Sequence, residues 1–93
     1  MSNSLKLYTQ NGCGYCDIMK MNLKKWGYTF EEINITTSPE HKQFLKARGH
    51  KTVPQLYSEG RHLNKMDTIH FTKQMLEASL DFDTYQGGVE NFG

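Results

Sequence analysis

Cys13 and Cys16 stand three positions apart, with Gly14 and Tyr15 between them. A C-x-x-C pair can be half of a tetrahedral metal site, a structural disulfide, or a dithiol that exchanges with other disulfides. Zinc would need two further ligands. There is no second C-x-x-C, and His41, His50, His62 and His70 lack the spacing of a histidine ligand pair, which disfavours a structural zinc. A structural bridge over so short a loop adds little, and a reducing compartment would keep it open. Exchange is the favoured use. It runs through a thiolate, and because a free cysteine titrates near ~8.5, something beside the sulfur must stabilise the anion.

The elements around the pair supply that stabilisation. Leu5-Lys6-Leu7-Tyr8-Thr9 alternates apolar and polar residues as a strand does, and Asn11-Gly12 marks a turn. From Cys13 onward Ile18/Met19, Leu23 and Trp26 recur at helical spacing, Lys24 and Lys25 fall in the last turn, and Gly27 stands where a left-handed cap would. Tyr28 to Ile35 reads as a second strand. Ser38-Pro39-Glu40 opens a second helix, which carries Phe44, Leu45 and Ala47 and closes at Arg48-Gly49. Val53 to Tyr57, a turn at Glu59-Gly60, and Arg61-His62-Leu63 form a hairpin. Met66-Asp67-Thr68 starts a third helix, with Asp67 as N-cap and Ile69, Met75/Leu76 and Leu80 as its apolar positions. The order β-α-β-α-β-β-α predicts an α/β fold: a mixed four-stranded sheet flanked by three helices, its first two strands parallel and its last two antiparallel.

Position within this scheme assigns roles. Cys13 lies where a loop enters the first helix, so unpaired N–H groups and the positive end of the helix dipole converge on its sulfur. It is the expected low-pKa nucleophile, and Cys16, one turn deeper, the resolving thiol. Tyr15 offers a ring beside the sulfur and a hydroxyl toward a ligand. In Thr52-Val53-Pro54, a cis Val53–Pro54 bond against Cys13 would turn the Val53 N–H and C=O outward, to pair with an extended thiol peptide. At the third helix, capping alone explains Asp67. A helix start with a carboxylate can also hold an α-carboxylate and an ammonium, the charges of a γ-glutamyl end.

Composition narrows the setting. The 93 residues carry 11 Lys+Arg, 10 Asp+Glu and a net charge of +1, enough for one domain, with its core expected over 5–80. A 37% hydrophobic content argues against disorder. Residues 1–51 hold eight bases and four acids, while 52–93 hold three and six, and neither half makes a nucleic-acid surface. A mean hydropathy of −0.70 and the lack of an apolar run near ~18 residues argue against an integral membrane protein. Met1-Ser2-Asn3-Ser4 lacks the blocks of a secretory signal, which points to the cytoplasm. Residues 81–93 carry three acids, no base and Gly87-Gly88, and are expected to form a loose acidic tail.

Over residues 5–80 the chain resembles the glutaredoxins, the glutathione-dependent branch of the thioredoxin fold. The resemblance rests on Tyr8-Thr9 leading to Cys13-Gly14-Tyr15-Cys16, on Thr52-Val53-Pro54-Gln55 before the third strand, and on Asp67 at the last helix. It implies a monomeric enzyme that uses glutathione to reduce protein disulfides and glutathione mixed disulfides. Cys13 and Cys16 would be catalytic, with Tyr15, Thr52, Val53, Pro54, Met66 and Asp67 lining the substrate groove. The chain makes three departures from the family pattern: Gly14 replaces proline, Gln10 replaces a Lys or Arg facing the thiolate, and Leu63-Asn64 replaces Gly-Gly. Lys51, His50, Lys42 or His41 are the candidates to restore the missing charge, and Lys20 could add positive potential near the thiols. Two alternatives remain open: a thioredoxin-like electron donor to a specific enzyme such as ribonucleotide reductase, reduced by a flavoprotein, and a dimer holding a glutathione-ligated [2Fe–2S] cluster.

Overall fold

Residues Leu5–Thr9 form the central strand, β1, of a sheet whose other members are β2 (Glu31–Asn34), β3 (Gln55–Ser58) and β4 (Arg61–His62). In this computed structural model, which describes residues 5–64 and 68–80, the helices are α1 (Gly14–Lys25), α2 (Pro39–Ala47) and α3 at 73–80. The strand order is β2-β1-β3-β4. β1 runs parallel to β2 and β3 antiparallel to β4, as the element order predicted, and β1 pairs antiparallel with β3. Among the described residues no helix is long and apolar enough to cross a membrane.

Successive strand side chains point to opposite faces, so the sheet carries two apolar layers. Leu5, Leu7 and Leu56 join Met19 and Leu23 of α1 and Phe71, Leu76 and Leu80 around α3 on one face. Tyr8, Ile33 and Tyr57 meet Leu45 of α2 in the second layer. Leu7, Met19, Leu23, Leu56 and Leu76 are wholly buried, each worth roughly 1.5–3 kcal/mol in transfer from water. Cys16, Met19 and Leu23 share the inner face of α1 by their three- and four-residue spacing. Ile18, paired with Met19 in the sequence reading, turns outward and is 37% exposed.

The helix ends follow their sequence signals. Gly27 has φ +88°, the Gly27 N–H bonds to Lys24 C=O at 3.1 Å and the Tyr28 N–H to Leu23 C=O at 2.9 Å, a Schellman cap. Tyr28 is thereby committed to the cap, and β2 begins at Glu31 rather than at Tyr28. Arg48, Gly49 and His50 close α2 in the same way, and Ala47 lies exposed. In the β3–β4 turn Glu59 and Gly60 both have positive φ, as a type I′ hairpin turn requires.

The third helix starts later than the sequence suggested. Residues 68–70 are a turn, Ile69 is 65% exposed, and α3 begins at 73. Thr72 is its cap: the hydroxyl accepts the Met75 N–H at 3.2 Å, while Phe71 and Leu76, at the two positions of a hydrophobic staple, both enter the core. The expectations for Met66 and Asp67, and for the tail at 81–93, lie outside the described residues.

Candidate active site

The loop between β1 and α1 is fixed from the neighbouring strand. Asn34 Nδ2 donates to Asn11 Oδ1 at 2.7 Å, the Asn11 N–H donates to Thr36 Oγ1 at 3.0 Å, and Asn34 Oδ1 accepts the Thr36 N–H at 2.8 Å. Gly12 then turns the chain at φ +72° into Cys13, the N-cap of α1. The Cys16 N–H donates to Cys13 Sγ at 3.1 Å, and the Cys13 C=O accepts the Asp17 N–H at 3.3 Å. A sulfur in the capping position receives an otherwise unsatisfied helix N–H together with the positive end of the dipole. Such an environment favours thiolate over thiol once the bond to Cys16 is reduced.

Cys13 and Cys16 are joined as a disulfide with Cα atoms 5.2 Å apart. Their accessibilities differ as the sequence reading required. Cys13 is half-buried, and Cys16 is 1% exposed beneath it. Gly14 occupies the first helical position, where a Cβ would meet nothing within 4 Å, so crowding does not demand the glycine.

The Thr52-Val53-Pro54 loop faces this pair. Cys13 Sγ stands 3.9 Å from the Val53 carbonyl oxygen, and the Val53–Pro54 peptide bond is cis, as expected. Two grooves meet at this loop, sharing Tyr15, His50, Thr52 and Val53. One, of about 450 Å³, contains Cys13 and is lined by Lys42, Lys46, Lys51 and Gln10. The other, of about 510 Å³, runs past Pro54, Asn64 and Ile69. Tyr15 is 53% exposed between them.

The structure sorts the proposed replacements for the missing cation at Gln10. Lys42, His50 and Lys51 line the groove beside Cys13. His41 does not; its ring packs 6.1 Å from that of Tyr8. Lys46 joins the group, and its signal in the sequence was the i,i+4 spacing from Lys42 on α2. Among the described residues no ion pair occupies Lys42, Lys46 or Lys51. Lys20, by contrast, is engaged by Asp17 at 3.5 Å and Glu32 at 3.2 Å, so its charge is compensated on the helix surface. The Thr9 hydroxyl, donating at 2.8 Å, and then Lys20 pull the Glu32 carboxyl below its ordinary value against a contrary effect of burial.

Behind the loop lies a polar layer that sequence spacing did not reveal. His50 Nε2 meets the Tyr57 hydroxyl at 2.6 Å, and His62 Nε2 meets Gln55 Oε1 at 2.6 Å. The two imidazole centroids are 4.6 Å apart. Burial, with the Arg48 charge second, lowers the His50 pKa below that of a free imidazole, favouring the neutral ring in its bond to Tyr57. Gln55 Nε2 donates to the Thr52 carbonyl at 2.9 Å and to its hydroxyl oxygen at 3.3 Å. Among the described residues no group of three or more His, Cys, Asp or Glu converges as a metal site.

The glutaredoxin family model matches residues 5–63, which include the dithiol, Thr52-Val53-Pro54 and the β3–β4 hairpin. The chain belongs to the glutaredoxin family. Glutaredoxin 3 of Escherichia coli (strain K12) is 28% identical over 68 residues, covering 72% of this chain and 82% of the relative. Among solved structures, the glutaredoxin-like protein NrdH-redoxin from Escherichia coli, described as having a thioredoxin-like activity profile, superposes with a TM-score of 0.61 at 29% identity, covering 63% of this chain and 78% of that one. A buckwheat glutaredoxin–glutathione complex matches with a TM-score of 0.63 at 20% identity, covering 85% and 74% respectively, a likeness of fold. This glutaredoxin, with a disulfide-capable pair at the start of α1, is a thiol–disulfide oxidoreductase.

Proposed function

We propose that the chain is a glutathione-dependent oxidoreductase acting on glutathione mixed disulfides and protein disulfides, with Cys13 as nucleophile and Cys16 as resolving thiol. The observation that carries this reading is the half-buried Cys13 sulfur accepting the Cys16 N–H at the helix start, with the Cys16 side chain buried behind it. On a glutathionylated protein, the Cys13 thiolate attacks the glutathione sulfur and expels the protein thiolate. A second glutathione thiolate then attacks the Cys13 mixed disulfide, releasing glutathione disulfide and restoring the Cys13 thiolate. On a protein disulfide, Cys13 forms a mixed disulfide with one substrate sulfur and Cys16 displaces it, leaving the Cys13–Cys16 disulfide for two glutathiones to reduce.

Glutathione is favoured by the groove beside Cys13, where Lys42, Lys46 and Lys51, which no ion pair occupies among the described residues, offer positive charge to an anionic tripeptide. The glutathione bound by the buckwheat relative supports the same ligand here. Tyr15, Thr52, Val53 and Pro54 form the wall against which the tripeptide would lie, its extended backbone pairing with Val53. Met66 and Asp67 are proposed for its γ-glutamyl end. Such a cycle belongs in a glutathione-rich reducing compartment, the cytoplasm.

A second reading, an electron donor to a partner such as ribonucleotide reductase, draws on the uncharged Gln10, the buried Leu63-Asn64 pair and the likeness to NrdH-redoxin. A coupled assay decides between them. With glutathione and glutathione reductase, the wild type is expected to turn over a glutathionylated peptide. Inactivity there, with turnover under a thioredoxin reductase, would reject the glutathione reading.

A further inference from the structure

Asn64 departs from the glycine pair of the family pattern, and the structure gives it a task. The ladder between β3 and β4 extends through the Leu63 N–H, which donates to the Leu56 C=O at 2.8 Å. Beyond that point a side chain replaces the strand. Asn64 Oδ1 accepts the Leu56 N–H at 2.7 Å, and Asn64 Nδ2 donates to the Pro54 C=O at 3.0 Å. One carboxamide thus presents an acceptor and a donor to residues two apart, as the peptide groups of a neighbouring strand would. Asn64 is buried, so water does not readily replace either bond.

From the other side, Gln55 holds Thr52 by its carbonyl and hydroxyl oxygens. Val53 is therefore suspended between two residues fixed by carboxamides, with its carbonyl 3.9 Å from Cys13 Sγ. We propose that Asn64 is a positioning residue that sets the Val53 backbone edge against Cys13, and so governs how tightly the disulfide substrate is held. The proposal rests on the function proposed above.

N64D tests it with little change of shape. The ionised carboxylate keeps an acceptor for the Leu56 N–H but sets a negative oxygen against the Pro54 C=O. Its protonated form regains the donor. At neutral pH, KM for a glutathionylated peptide is expected to rise about tenfold in N64D, with kcat per titrated thiol and the alkylation rate of reduced Cys13 within about twofold of wild type. The ratio of variant to wild-type KM should fall toward one as the pH is lowered and the introduced carboxyl takes up its proton. A merely structural role would lower the melting temperature and leave that ratio near one at every pH, which would overturn the proposal.

Because N64D could fail to fold, the clamp is also tested in the wild type by amide hydrogen exchange. The Leu56 N–H is expected to exchange as slowly as the amides of β1. Exchange at the rate of an exposed loop amide would overturn the proposal. This measurement does not depend on the reductant, so failure of the clamp and failure of the glutathione reading are seen separately.

Discussion

Cys13→Ser is expected to lower turnover at least ~10³-fold on every disulfide substrate while leaving the fold intact. The two consequences separate because the residue has two roles. In the proposed role of nucleophile, its thiolate forms the mixed disulfide, which a serine hydroxyl cannot do at neutral pH. As N-cap of α1, it accepts the Cys16 N–H, and serine is among the best residues for that position. The variant should therefore keep its helix, with a urea midpoint close to that of the reduced wild type. Residual activity above about one per cent would move the nucleophile elsewhere. Lost activity together with a collapsed midpoint would make the effect structural.

Cys16→Ser is expected to divide the activities. A protein disulfide leaves Cys13 in a mixed disulfide that the variant cannot resolve from within. Steady turnover on that substrate should fall at least ~100-fold, and the trapped adduct should be visible by mass spectrometry. A glutathionylated substrate needs only a second glutathione to free Cys13, so part of that activity should remain. The substitution also places a hydroxyl on the buried face shared with Met19 and Leu23, and a stability loss of about 1–3 kcal/mol is expected. Reduction of protein disulfides at the wild-type rate would remove Cys16 from the resolving role.

What the sequence made legible was local. Gly27 and Gly49 announced helix ends because each sits just past a helix in the left-handed region. Ser38-Pro39 announced a helix start, and the C-x-x-C before an apolar stripe put Cys13 at a helix entrance with Cys16 one turn inside. The third helix starts at 73, later than the sequence suggested, because Thr72 is itself an adequate cap and the burial of Phe71 and Leu76 on the sheet ties the start of α3 to that point.

Non-local partners were harder to see. Asn64 read only as a departure from the family's Gly-Gly pair, because its two bonds reach back eight and ten residues to Leu56 and Pro54, a pairing that no spacing rule encodes. The Asn11–Asn34–Thr36 tie beneath the active-site loop was hidden for the same reason. His50 and His62 were scattered in sequence, yet the β3–β4 hairpin and the end of α2 bring their rings together behind Thr52. Lys46 completed the basic wall only once α2 was seen to line the groove with Lys42.

The central claim is that the N-terminus of α1 activates Cys13 as a thiolate. It is tested most directly by following thiolate absorbance against pH in reduced Cys16→Ser, where Cys13 is the one thiol in the chain. The account predicts a midpoint clearly below the ~8.5 of free cysteine. A midpoint at or above that value would contradict it.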